Sequence, residues 1–361
     1  MTWFSDRNAP TARPRWTDSS SLSGEDGDPR WGLLAFLALS QLALSGFNAV
    51  DGGVIAALSR DPGTALAVSS QHVLDSPLPI ALGHLLGAET LAGAAALAGA
   101  LALIPILALA LGKPLQFLSS AQTYSLLAVS CITPVWKTLA LYVGKADGIC
   151  LALSVTLVLA ASPAVLLLSA ILLVLNHIQQ GILILSLLAL VCLPDRRRAF
   201  LLTGGGVAGY VAAVTLQSIL GMQEHAGRTD YVLAHWGDEV FNLTPVLILA
   251  IAGALGGGWI VLFHGLRNAP VLRLRAVCAT GVAIAVGIIV VDNSRDMFLF
   301  TFPLLLWVMR EQLLIGTFRP SPRFLALSTL ACGFLPDIQG GLVRLSSWSS
   351  FLARASLALR S

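Results

Sequence analysis

The chain has 361 residues, of which 56% are hydrophobic and 11% charged, with a formal net charge of +3 and a mean hydropathy of +0.81. A soluble domain carries about 25% charged residues, so this chain has too few polar side chains to cover a water-facing surface. The composition excludes a secreted domain, a cytosolic enzyme and a nucleic-acid binder. It predicts an all-α, polytopic transmembrane helical bundle.

Residues 1–30 are rich in Ser, Pro, Asp and Arg, lack an apolar period, and read as a disordered cytoplasmic tail. The first apolar run begins at Trp31 and many follow, which argues against a cleaved signal peptide. A bilayer core takes about 20 apolar residues as a helix. Such runs cover 31–50, 90–111, 115–136, 199–220, 240–263, 276–291 and 297–314, with a shorter one at 323–338. The segment 148–193 is too long for one span, since its 46 residues would make a helix of about 69 Å. It reads as three short helices, broken at Ser162-Pro163 and at Asn176-His177. Short helices of this kind suit a protein-lined cavity. The transmembrane domain then occupies 31–340 with about eleven spans, and 341–361 is an amphipathic C-terminal tail.

Lys and Arg set the orientation. With the N-terminus inside, 14 of the 22 basic residues fall on inner segments. Five fall outside: Arg60, Lys137, Lys145, Arg228 and Arg295. Eleven spans also place the C-terminal tail outside, although its Arg344, Arg354 and Arg360 run against the topology rule, so its side stays open. Beyond the tail at the N-terminus only Asp195 and Glu311 lie inside, whereas twelve acids and five of the six histidines gather outside. Ionisable groups at membrane depth are functional candidates by default. The composition, rich in Ala, Leu and Arg, points to a bacterial cytoplasmic (inner) membrane, with the active face outside.

Asp51 closes the first apolar run ahead of Gly52-Gly53, either as a polar stop with a glycine turn or as a carboxylate held at a helix end to act as a base. The outer loop 51–89 has amphipathic helical stretches. Its His72 and Asp75 are three apart and share a face if that stretch is helical, as a local hydrogen bond or as substrate contacts. Gly144-Lys145-Ala146-Asp147-Gly148 opens the short-helix segment. Lys145 could hold a phosphate and Asp147 a sugar hydroxyl, or the stretch is an interfacial turn with a snorkelling lysine. Asn176-His177-Ile178-Gln179-Gln180 interrupts an apolar run, so His177 and Gln180 must face protein or water. The loop 221–239 brings His235 and Glu239 together with Tyr231, an aromatic that could stack on a sugar. Asp292-Asn293-Ser294-Arg295-Asp296 joins two spans; Arg295 could bind a phosphate or carboxylate there, or pair with an aspartate to close the turn.

The chain contains no Walker A, Rossmann, HExxH or GxSxG motif. It has no internal repeat of the kind that builds many transporters. The five cysteines stand singly in apolar runs and read as packing residues.

This layout resembles the GT-C superfamily of membrane glycosyltransferases. The likeness lies in Asp51 at the end of the first run, the amphipathic loop 51–89, the short helices of 148–193 bounded by residues 144–147 and 176–177, and the number of spans. It covers most of the chain and rests on arrangement. Gly52-Gly53 stand where a second acid usually follows the first. The resemblance implies transfer of a sugar from a polyprenyl-phosphate carrier to a glycan, lipid or protein acceptor at the outer face. Asp51 and Asp147 are the implied catalytic carboxylates, and a divalent metal is a possible cofactor. An O-antigen-type polymerase, a transporter or flippase of a lipid-linked or anionic substrate, and a non-catalytic assembly subunit are the alternatives.

Overall fold

The computed structural model describes residues 31–45, 50–64, 73–111, 119–142, 144–222, 237–238, 240–268, 270–290, 293–339 and 342–344. These residues form sixteen α-helices and one antiparallel hairpin. The first six helices are α1 (Trp31–Ser45), α2 (Val50–Arg60), α3 (Pro77–Leu86), α4 (Leu91–Leu111), α5 (Ser120–Ile132) and α6 (Val135–Leu141). Next come α7 (Asp147–Leu159), α8 (Pro163–Asn176), α9 (Ile178–Val191) and α10 (Arg196–Ile219). The rest are α11 (Leu247–Leu255), α12 (Gly258–Asn268), α13 (Pro270–Ile289), α14 (Asn293–Val308), α15 (Arg310–Ile315) and α16 (Pro322–Phe334). The hairpin pairs β1 (Asp337–Gln339) with β2 (Leu342–Arg344).

Among the described residues, α10 and the stretch 272–289 of α13 are long and apolar enough to cross a bilayer. Three bent helix pairs bring the number to five if each pair is one span. Many large apolar side chains stand exposed, among them Phe200, Phe241 and Ile248. A water-soluble fold rarely shows so many, and their exposure is consistent with contact with lipid.

Helices α7 and α14 form the centre. Eleven of the 13 residues of α7 and 14 of the 16 of α14 are buried. The two run parallel, because Arg295 at the start of α14 reaches Asp147 at the start of α7, and Arg198 touches both far ends. Helices α8, α9 and α10 pack around them as an up-down-up set. Pro163 starts α8 at the position where its missing N–H costs nothing. Gly205 and Gly209 on α10 let that helix lie against α8, since a Cβ on Gly209 would stand 2.8 Å from the Ile171 carbonyl oxygen.

Length then creates a recess. Helices α8 and α9 have 14 residues each, about 21 Å, while α10 has 24, about 36 Å. The α8–α9 junction therefore lies about 15 Å below the far end of α10. The shortfall is filled by α2, α3 and residues 73–76, whose apolar cluster includes Ile55, Leu58, Val73, Leu74 and Ile80. Gln217 near the end of α10 donates to the Leu74 carbonyl at 2.9 Å, fixing this roof to the wall.

Four expectations are revised. The first helix ends at Ser45, and Asp51 falls in the first turn of a second helix, α2, which begins at Val50. The run 115–136 is broken at Thr133-Pro134, with α5 and α6 bent by 65°; proline cannot donate the helix bond there. The run 240–263 is likewise bent by 77° between Leu255 and Gly258. Gly256 there has φ of +52°, which favours glycine. Residues 342–344 of the tail are a strand rather than helix, and 345–361 lie outside the described residues.

The broken ends are satisfied by side chains. Gln41 donates to the Thr133 carbonyl and accepts from the Lys137 amide, both at 3.1 Å. Thr329 donates to Cys131 O at 2.9 Å. At the far end of α7, the Arg198 guanidinium donates to the carbonyls of Leu157, Val158 and Ala160, and Arg310 adds a bond to Val158 at 3.0 Å. Arg198→Ala should therefore cost roughly 2–4 kcal/mol, since it leaves buried helix-end carbonyls without donors. Thermal unfolding of the two proteins in detergent checks this, with Arg198→Lys recovering part of the loss.

Candidate functional site

Three helix N-termini meet beneath the roof, those of α7, α9 and α14. Each carries the positive end of a helix dipole. The turn leading into α7 is made by the Lys145 amide donating to the Tyr142 carbonyl at 3.1 Å. Gly144 within it has φ of +81°, and a Cβ there would come within 3.0 Å of Gly52 Cα on α2. Both the conformation and the close approach require glycine. The start of α2, with Asp51, thus lies against the Gly-Lys-Ala-Asp turn.

The buried polar cluster centres on Arg295, which is 4% exposed. Its guanidinium pairs with Asp296 at 3.2 Å and with Asp147 at 3.8 Å. Gln180 donates to the same Asp296 oxygen at 2.8 Å. Asn176 donates to the Ala146 carbonyl at 3.0 Å and to Cys150 Sγ at 3.1 Å, tying the end of α8 to the start of α7. Cys150 in turn contacts Gln180 Oε1 at 3.7 Å. Such charges survive burial only when paired and hydrogen-bonded.

On the other side of Arg295 stands Tyr142. Its ring lies 4.8 Å from the Arg295 guanidinium and 5.0 Å from the Lys145 ammonium. The Tyr142 hydroxyl donates to Asp337 at 2.8 Å, and Ser294 donates to the second Asp337 oxygen at 2.7 Å. Ser294 also accepts from the Ile338 amide at 3.0 Å. The hairpin at the end of the described chain is therefore on the same side of the molecule as the cluster.

A small pocket, with a cavity volume of about 10 Å³, opens between roof and floor. Ile55, Val73 and Ser76 line it from above; Lys145, Asp147, His177 and Arg295 line it from below. Two cations, a carboxylate and an imidazole at three helix N-termini suit an anionic ligand that carries a group needing proton transfer. Among the described residues no three His, Cys, Asp or Glu side chains come together as a metal-ligand set.

Of the residues singled out from sequence, Asp147, Lys145, His177, Gln180 and Arg295 come together here, with Asp75 buried in the roof segment. Asp75 lies in a 3-10 turn over 73–75. The side chain of Asp51 and the residues His72, His235, Glu239 and Asp292 lie outside the described residues. The stretch 293–296, read as an interhelical loop, is the buried first turn of α14. That placement turns Asp296 inward, where it organises Arg295. In the sequence Asp296 and Asp337 stand out only as two of the twelve outer acids, and Tyr142 and Ser294 carry no assigned role. Asp296 sits beside Arg295 in sequence and could have been found there; Asp337 carries no local signal.

The chain matches no family model, and no curated protein and no solved structure is detectably similar to it. Asp296→Ala, which takes a carboxylate from a buried guanidinium, should cost roughly 3–5 kcal/mol. Asp296→Asn should cost less by keeping an acceptor for Gln180. Chemical unfolding of these variants and of the Arg295→Met, Asp296→Ala pair tests the coupling: the pair should lose less than the sum of its singles.

Proposed function

We propose that this protein is a membrane glycosyltransferase that takes a sugar from a polyprenyl-phosphate carrier. The observation that carries this reading is the pocket in which Lys145 and Arg295 stand with Asp147 and His177 at three helix N-termini. Counting α10, α13, each of the three bent pairs, and α1, α7, α8, α9, α14 and α16 as one crossing each gives eleven spans. With the N-terminus inside, the pocket then faces the outer side of a bacterial cytoplasmic membrane and the hairpin emerges there too.

In the proposed reaction a carboxylate takes the proton of an acceptor hydroxyl as that oxygen attacks the anomeric carbon. The bond from that carbon to the phosphate oxygen breaks, and its electron pair leaves with the lipid phosphate. Lys145 and Arg295 stabilise the charge that develops there. Asp51 is the assigned base, and its helix begins against the Gly144 turn. Asp147, paired with Arg295, orients the guanidinium and the incoming hydroxyl. The acceptor is a glycan, lipid or protein hydroxyl. A polymerase acting on two lipid-linked substrates would run the same chemistry.

A transporter reading draws on two of the three bent pairs, α5–α6 and α11–α12, which meet where Gly256 and Gly257 approach the Ile132 carbonyl. Broken helices line many transport sites. Here, however, the carbonyls of Cys131 and Thr133 at the break are engaged by Thr329 and Gln41.

Purified protein in lipid, offered a panel of radiolabelled polyprenyl-phosphate sugars, should release free lipid phosphate. Asp51→Asn and Asp147→Asn should each slow release by about 100-fold or more, and Asp51→Asn should unfold at nearly the wild-type temperature. No release with any donor, together with flipping of a lipid-linked sugar in vesicles, would replace this reading by transport.

A further inference from the structure

We propose that the turn between α12 and α13 binds the phosphate of an anionic phospholipid, whose acyl chains lie along the exposed apolar faces of these two helices. The site stands at the end of the bundle opposite the pocket and does not rest on the transferase reading. Arg267 in the last turn of α12, with Arg273 and Arg275 in the first two turns of α13, brings three guanidiniums to it. No Asp or Glu occurs from residue 240 to residue 291. Among the described residues none of the three arginines is paired with a carboxylate. Gly265 of α12 packs against Val308 at the end of α14, which brings the Arg310-Glu311 pair to the same end. Glu311 is exposed there and its carboxylate is held by Arg310 at 3.3 Å.

The Arg273 guanidinium is ordered by donating to the Leu266 carbonyl at 2.9 Å and to the Arg267 carbonyl at 2.6 Å. Backbone carbonyls fix its position without cancelling its charge, and an ordered cation binds an anion at less entropic cost. Arg275 is half-buried, and its Nη1 has no acceptor among the described residues. Turning that nitrogen onto a phosphate therefore gives up no protein hydrogen bond. The planar fork of arginine suits phosphate oxygens better than a lysine would. The faces below these cations are apolar. On α12, Ile260, Phe263 and Arg267 follow at i, i+3 and i+7, and all three are exposed. On α13, Arg273, Val277 and Gly281 follow at i, i+4 and i+8, with Leu274 and Cys278 beside them, again all exposed. A Cβ on Gly281 would meet nothing within 4 Å, so the α13 face is open there. Each stripe runs from the apolar interior to an arginine at the turn, which is the order of chain and phosphate in a phospholipid. The topology rule asks only for positive charge at this end; a site asks for these particular arginines.

The test uses the full chain in detergent with equal amounts of phosphatidylglycerol and phosphatidylcholine, and counts the lipids that stay bound by native mass spectrometry. Wild type should retain phosphatidylglycerol in preference. Arg267→Gln and Arg275→Gln should each lower that preference about fivefold, and the double variant about twentyfold. Arg319→Gln with Arg323→Gln removes the same charge from the same end but from other elements, and should leave the preference unchanged. An equal loss in that control pair would assign the preference to diffuse charge and overturn the site. A preference retained in the Arg267, Arg275 double variant overturns it as well; if that variant does not fold, a preference retained in both singles does so instead. Glycerol 3-phosphate, a soluble phosphate without chains, should not displace the bound lipid at millimolar concentration. Displacement would assign the turn to free phosphate and overturn the lipid assignment. None of these variants touches the pocket, so either result leaves the transferase reading to its own assay.

Discussion

Helix α7 is buried along nearly its whole length, so its terminal amide and carbonyl groups must find partners in protein rather than in water. At its C-terminal end the partners are cations: Arg198 and Arg310 donate to the last carbonyls and stack on Trp307. At its N-terminal end Asp147 lies in the first turn, where a negative charge suits the dipole. That carboxylate then draws Arg295, and Arg295 brings Asp296, Gln180 and the Tyr142 ring into the same cluster. The need to terminate one buried helix thus organises both a structural anchor and a polar pocket at opposite ends of it.

Shortness is the second consequence. Helices of 13 or 14 residues leave their ends below the level reached by α10, and the vacant layer is occupied by α2, α3 and residues 73–76. This arrangement gives the pocket a polar floor of helix N-termini and an apolar roof. The roof meets the floor through glycine at Gly144 and Gly52, where no side chain could stand between the backbones. In the proposed reaction, this contact is what brings the helix of Asp51 to the cations that would hold the leaving phosphate.

The bent pairs α5–α6 and α11–α12 follow a different logic. Their breaks meet each other, and the freed carbonyls at the end of α5 are taken up by Gln41 and Thr329 from neighbouring helices. Gly256 and Gly257 approach so closely that Cβ atoms would collide with Cys332 and Ser328 on α16. Close packing with satisfied carbonyls makes this crossing a rigid joint. The pocket, by contrast, is lined by charged side chains.

Much of this was readable from the residues alone. Composition dictates helices, because apolar runs with so few charges can satisfy their backbone only internally. The breaks at Pro163 and Asn176-His177 are local, since proline lacks a donor and polar side chains are costly inside an apolar run. Lys145, Asp147, His177, Gln180 and Arg295 stood out for the same reason, as rare ionisable or polar groups at the ends of such runs. What only the tertiary structure decided are the partnerships. Tyr142 meets Asp337 across 195 positions, and Gln180 meets Asp296 across 116. Neither pairing leaves a periodic trace. The same holds for the bend at Gly256, which a run of glycines permits but only the neighbouring Cys332 and Ser328 enforce. Local chemistry specifies where a helix must end; which distant side chain completes that end depends on how the helices pack.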